Sequence, residues 1–373
     1  MKILFTIDSL GNGGTERSLA DLIRCFSPDT KVVFCYCYSN ETLKPLYESL
    51  PVQLVGLQLK GRYNFVKGIR LLVQLIRKEQ PDLIVCSLYR ASIMSRLASW
   101  ITGVPLVDTL VEETYGTQRR SVFKGIQVLK FLFPYWLDRF TAGRPVAWIS
   151  NSHSIARANS NHLRIPFHKI TTIYRGRDAS QFHPWQAPVS DNRFVFAAIG
   201  RLYPKKGFSD LVTGFALVAA DFPQALFVIY GGGPYEAALA AMIREQQLED
   251  RITLAGNTPD AWKQLYLAHC FVFPSWYEGF SGALVEAMMM GIPIVASDIP
   301  MNLEAVTDGK TALVHRVKDA SHLADRMREV VADYPRVVKM GAAARREALE
   351  RFELKKIAQE YEGFLRSVVN KRN

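Results

Sequence analysis

Short apolar runs and amphipathic stretches alternate along the whole chain. "KILFTI" is followed at intervals by "KVVFCY", "PDLIVC", "VPLVDTL" and "VAWIS", each apolar enough for a buried parallel strand. Between them lie segments with helical spacing, such as "NFVKGIRLLVQLIRK" over 64 to 78. A second series opens with "RFVFAAIG" (193 to 200) and continues through "ALFVIYGGG", "RITLAG", "HCFVFPS" and "IPIVAS". Every run leads into a helix-like stretch, which predicts an α/β protein of two doubly wound sheets. Prolines and polar residues break the pattern at "QFHPWQAPVSDN" (181 to 192), where the domain boundary is expected. The tail, "ERFELKKIAQEYEGFLRSVVNKRN", reads as a final amphipathic helix. Ligands of open parallel sheets bind beyond the carboxyl ends of the strands, so the chemistry should lie in the loops that follow them.

Composition narrows the classes. A chain of 373 residues suits two α/β domains, and 49% apolar with 22% charged residues is the balance of a folded chain rather than a disordered one. The net charge of +11 points to an anionic partner: a nucleotide, a lipid surface or nucleic acid. No recognised nucleic-acid motif accompanies the charge, and none is expected to bind. "MKILFTIDSL" meets Asp8 too soon for a signal peptide and suits a first strand, and no run is long enough to span a membrane. Cys25, Cys35, Cys37, Cys86 and Cys270 lie in apolar segments, as reduced thiols of a cytoplasmic protein would. Cys35 and Cys37 would share a strand face, but no second Cys/His pair completes a zinc site, so no metal is expected.

The loop after "HCFVFPS" carries the sharpest signal, "PSWYEGFSGALVEAMMMGIPIVAS" (274 to 297). Ser281 is a good N-cap for a helix through "GALVEAMMM", and the free amides of Gly282, Ala283 and Leu284 would then form an anion site suited to phosphate. A carboxylate beside that phosphate, at Glu278, is better matched to a neutral polyol such as a sugar. Glu286, in the second helical turn, could accept the paired hydroxyls of a ribose. A solvated loop glutamate and a helix glutamate with a surface partner would give the same spacing. After "RFVFAAIG", Arg201 and Lys206 of "RLYPKKGF" could clamp a diphosphate or form a basic surface turn. Gly232 of "YGGGP" would let the backbone approach a ligand or simply turn tightly. "DSLGNGGTERSLADL" brings Gly13 and Gly14 to a helix start without the G-x-G-x-x-G spacing, which disfavours a nicotinamide dehydrogenase.

In this order and spacing, "GRLYPKKG", "YGGGP", "LAGNTPD" and the E-x7-E frame from Glu278 to Glu286 resemble the C-terminal half of a retaining glycosyltransferase of family 4 with the GT-B fold. "LGNGGTERSL" resembles that family's N-terminal glycine loop. The resemblance implies two Rossmann-like domains facing each other across a cleft. An acceptor-binding domain would span 1–180, with the helix 353–373 packed back on it, and a nucleotide-sugar-binding domain would span 190–350. It further implies that Arg201 and Lys206 hold the diphosphate and Glu278 the donor sugar, with catalysis resting on these three. Amides from Phe280 to Leu284, Ser281 included, would serve sugar and phosphate, Glu286 the ribose, and the loop around Gly256 and Asn257 the base. Gly13, Gly14 and Gly232 join the donor side. Where many members carry a histidine, this chain has "VEETYG", putting Glu112, Glu113 and Tyr115 on the sugar or acceptor side. The usual Asn-Gly is replaced by "YRGRD" (174 to 178), which adds Arg175 and Arg177 or else forms a solvated turn.

The implied reaction is retaining, with front-face attack, no cofactor and no metal, since no Asp-x-Asp site is present. The donor is expected to be a UDP-sugar first and a GDP-sugar second. The acceptor is expected to be a glycan or lipid-linked glycan of cell-envelope polysaccharide or lipopolysaccharide synthesis. A glycan phosphorylase of the same fold and a non-catalytic nucleotide-sugar-binding subunit are the alternatives. The stretch 115–140 combines Arg119, Arg120, Lys124, Lys130 and Arg139 with six aromatic residues from Phe123 to Phe140, and Asp138 is its only acid. Such a segment suits either an anionic membrane surface at the inner face or a core-facing helix with solvated cations. Pro134 is expected to cut it, sending the aromatics beyond it inside.

Overall fold

Strand alternation sends each run's side chains to two cores. In β1 (Lys2–Ile7), Ile3, Phe5 and Ile7 enter one cluster and Leu4 the other. In β2 (Lys31–Tyr38), Phe34 and Tyr36 face the first, while Cys35 and Cys37 share the second. The computed structural model describes residues 1–61, 64–116, 127–189 and 193–371, the side chains of 127–131 excepted. Its first sheet adds β3 (Val52–Leu59), β4 (Leu83–Ser87), β5 (Leu106–Leu110), β6 (Ala147–Ser150) and β7 (Ile170–Thr172), in the order β3-β2-β1-β4-β5-β6-β7. Its second comprises β8 (Phe194–Ile199), β9 (Ala225–Tyr230), β10 (Ile252–Gly256), β11 (Cys270–Phe273), β12 (Ile294–Ser297) and β13 (Leu313–His315), in the order β10-β9-β8-β11-β12-β13. All strand pairs are parallel, as βαβ crossovers require. The chain forms two compact units, Met1–Gly176 with Leu354–Asn373, and Arg177–Glu353.

All ten strands expected from apolar runs are present, joined by β3, β7 and β13. The glutamines of "VQLVGLQL" and the half-exposed face of β3 mask it as an edge strand. Three residues each leave β7 and β13 too little pattern to read. The last helix begins at Leu354, because Phe352 and Glu353 separate it from the helix Tyr334–Arg351. Tyr361 and Leu365 enter the first unit's core, and Glu362 accepts from the Ser27 amide at 3.0 Å and from the Thr30 hydroxyl.

The helix Gln127–Thr141 runs through Pro134, contrary to the expected break. Tertiary bonds outweigh the missing backbone donor: Arg96 Nη1 donates to Asp138 Oδ1 at 2.6 Å, and Tyr135 Oη to the His162 carbonyl at 3.1 Å. Arg96 also holds Asp108 at 2.6 Å, so one buried guanidinium joins this helix to β5. With Asp138 turned inward, the aromatics at i, i+3 and i+7 turn outward. Phe133, Trp136 and Phe140 are 68%, 47% and 81% exposed, so beyond the proline Trp136 and Phe140 do not pack inside, whereas Tyr135 is half-buried against Tyr115. Arg119, Arg120, Phe123 and Lys124, and the side chains of Lys130 and Phe131, lie outside the described residues.

Candidate active site

The order of the second sheet reverses between β8 and β11, which makes their carboxyl ends the expected ligand crevice. Two loops meet there. After β8 the chain makes a short turn, Pro204–Lys206, and Gly207 follows at φ +70°, where a Cβ would lie 2.9 Å from the Pro274 carbonyl carbon. The loop after β11 is tied to this turn by Trp276, whose amide donates to the Lys205 carbonyl at 2.8 Å and whose Nε1 donates to Asp210 Oδ2 at 2.6 Å. From the other side, Ser297 Oγ donates to the Ser275 carbonyl at 2.6 Å and is itself held by Asn302.

These struts bring Lys206 Nζ to 2.5 Å from Glu278 Oε1, with side chains 15% and 12% exposed. Burial acts to raise the Glu278 carboxyl's pKa, but the Lys206 charge and hydrogen bond prevail, aided by Ser275, and hold it below its ordinary range. Past the buried ring of Phe280, Ser281 caps the helix Gly282–Met290 by accepting from the Leu284 amide at 3.4 Å. Of the three first-turn amides expected to be free, that of Leu284 is taken by this cap.

Glu286 occupies the second turn, and its partner was not foreseen: Arg177 Nε donates to Glu286 Oε1 at 2.7 Å. The only signal for this contact was the second arginine of "YRGRD". Gly232 and Asn257 are brought together, the Gly232 amide donating to Asn257 Oδ1 at 3.0 Å. Arg201 is exposed, with its guanidinium 5.6 Å from the Tyr203 ring centroid.

In the first unit, Gly13 caps the helix Gly14–Arg24, and a Cβ at Gly14 would lie 3.2 Å from Arg175 Nη1. Glu113 Oε1 lies 3.5 Å from His162 Nε2, and the Glu112 carbonyl accepts from Asn159. Tyr115 is buried, with its hydroxyl donating to Asp138 Oδ2 at 2.7 Å.

Two doubly wound parallel sheets, one with paired charges around a helix N-terminus at its switch point, define a two-domain α/β protein. Residues 12–181 match the family model described as Glycosyltransferase Family 4, and residues 180–347 match that described as Glycosyl transferases group 1. The chain belongs to glycosyltransferase family 4 and has the GT-B fold.

Its fold is shared with Anabaena HepE in complex with UDP and glucose, at a TM-score of 0.84 and 23% identity over 98% of this chain and 100% of that one. The UDP-Gal:α-D-GlcNAc-diphosphoundecaprenol α-1,3-galactosyltransferase of Escherichia coli is 27% identical over 254 residues, 64% of this chain and 63% of the relative. The GDP-mannose-dependent α-(1-6)-phosphatidylinositol monomannoside mannosyltransferase of Mycobacterium tuberculosis is 28% identical over 208 residues, 51% of this chain and 54% of the relative. The matches thus span less than two thirds of these relatives' length.

Removing the lysine should invert the titration of Glu278. In the wild type the ion pair stabilises the fold above the ordinary carboxylate pKa and weakens as pH falls through the lowered one. In Lys206→Met, burial acts without its main opposing charge, so the folded-state pKa rises above the unfolded value and stability falls as pH rises through that window. The difference in thermal midpoint between wild type and variant should therefore widen as pH rises above the ordinary carboxylate pKa. A gap independent of pH would exclude the Lys206–Glu278 coupling.

Proposed function

We propose that the protein is a retaining, metal-independent glycosyltransferase that moves a sugar from a nucleotide donor, UDP-linked first and GDP-linked second, to a glycan or lipid-linked acceptor of cell-envelope polysaccharide or lipopolysaccharide synthesis. One observation carries this reading: Lys206 paired with Glu278 beside the N-terminus of the helix Gly282–Met290, at the switch point of the second sheet. When the bond between the anomeric carbon and the donor's β-phosphate oxygen breaks, its electron pair goes to the leaving diphosphate. Lys206 and the helix amides stabilise that charge, which in many enzymes is the largest single contribution to rate. Glu278 accepts a hydroxyl of the sugar, and Glu286 accepts the ribose. The acceptor hydroxyl attacks the face that the diphosphate leaves, and its proton passes to a phosphate oxygen, so the configuration at the anomeric carbon is kept.

The UDP of the HepE complex favours a uridine donor, and the names of both relatives support a lipid-linked acceptor. A peripheral position on the inner membrane face suits such an acceptor. Among the described residues no helix is long and apolar enough to cross a membrane. The docking face would be the outward row Phe133, Trp136 and Phe140, where Arg139 lies 5.7 Å from the Trp136 ring centroid and the stretch's only acid, Asp138, is buried.

Sugar nucleotides incubated with the protein should release the nucleoside diphosphate and give a product with the donor's anomeric configuration, read by NMR, with no loss of rate in chelator. Glu278→Gln should lower turnover while sparing affinity for the bare nucleoside diphosphate, and Glu286→Gln should do the reverse. Inversion, or a strict need for magnesium, would contradict the mechanism, and equal losses of nucleotide affinity would contradict the division between the two glutamates. Sedimentation with vesicles containing anionic lipid should carry the wild type down at low salt but not Trp136→Glu/Phe140→Glu. A wild type that stays in solution at both low and physiological salt would remove the membrane from the account.

A further inference from the structure

Glu286 poses an electrostatic difficulty for a diphosphate site. Residues 282 and 286 lie four apart on one helix face, about 6 Å along the axis, so an ionised carboxylate stands one turn behind the amides that attract phosphate. Unopposed, it would repel the ligand that the helix N-terminus binds. Arg177 meets this difficulty at both ends. Its Nε holds Glu286 Oε1 at 2.7 Å, while the rest of the guanidinium lies against Gly282, where a Cβ would come within 2.9 Å of Cζ. The first helical residue is thus one that leaves room for the arginine.

The arginine is also held from behind. Its amide donates to the Phe352 carbonyl at 2.8 Å, and its backbone forms a bridge with Glu353. The guanidinium therefore leaves a fixed backbone point and spans from the carboxylate to the start of the helix.

We propose that Arg177 is a positioning and selectivity residue of the donor site. It neutralises Glu286, whose carboxylate keeps acceptor capacity for a ribose hydroxyl, and turns its other edge towards the diphosphate. The site thereby distinguishes nucleoside diphosphates from uncharged nucleosides. This rests on the donor-site reading above and adds a second cation beside Lys206.

Calorimetric titration of the full chain with UDP and uridine, and in parallel GDP and guanosine, tests it. Arg177→Ala should weaken the diphosphate by about 10- to 100-fold, the range for a lost charged hydrogen bond, and the nucleoside by less than about threefold. The salt dependence of diphosphate binding should fall with it. Arg177→Lys should recover part of the loss as a point charge, and Gly282→Ala, which keeps the arginine but displaces it, should reproduce the selective loss if Arg177→Ala does not fold. Equal weakening of UDP and uridine would reduce Arg177 to a prop for Glu286 and overturn the proposal, as would unchanged UDP affinity. A wild type that binds neither diphosphate is a separate result, which defeats the donor-site reading before any variant is compared.

Discussion

The site depends on pairing two part-buried glutamates with cations beside a helix N-terminus. Each has its own cation: Lys206 for Glu278 and Arg177 for Glu286. Taking a charge out of water is costly unless a partner and further hydrogen bonds compensate, and breaking such a pair leaves the other charge exposed to that cost. The backbone devices around the site serve this requirement. Gly207 lets the lysine turn pack against Pro274, Trp276 ties two strand-end loops together, and Ser281 fixes where the helix and its amides begin.

On the proposed donor-site reading, charges paired in this way would also respond to the ligand. A diphosphate approaching the helix N-terminus would compete with Glu278 for Lys206, with a sugar hydroxyl replacing what that carboxylate gives up, while Arg177 keeps Glu286 on one edge and meets the ligand with the other. Ligand and protein would then exchange partners without leaving a charge unpaired. Preorganised donors of this kind act without large rearrangement at the moment of bond cleavage.

Much of this was legible in the sequence because it follows from periodicity and local capping. Ten apolar runs became strands, and "FSGALVEAMMM" gave its helix start to within a residue, since Ser, Gly and a run of helix formers act locally. The candidate site was readable as loops after β8 and β11 but not as ion pairs. Lys206 and Glu278 are far apart in the chain, and only the strand order brings them together. Arg177 was harder still, because nothing near it in sequence indicates a partner at Glu286. Pro134 misled because its local cost is real but smaller than the tertiary bonds that Asp138 and Tyr135 make. The short strands β7 and β13 were missed for the opposite reason, having too few residues to show a period.

The most direct test is a crystal structure of the protein with UDP bound. The β-phosphate should lie about 3 Å from the amides at Gly282 and Ala283 and from Lys206 Nζ, with the Lys206–Glu278 contact lengthened from its present 2.5 Å. A diphosphate bound elsewhere, with Lys206 still on Glu278, would contradict the account at its centre.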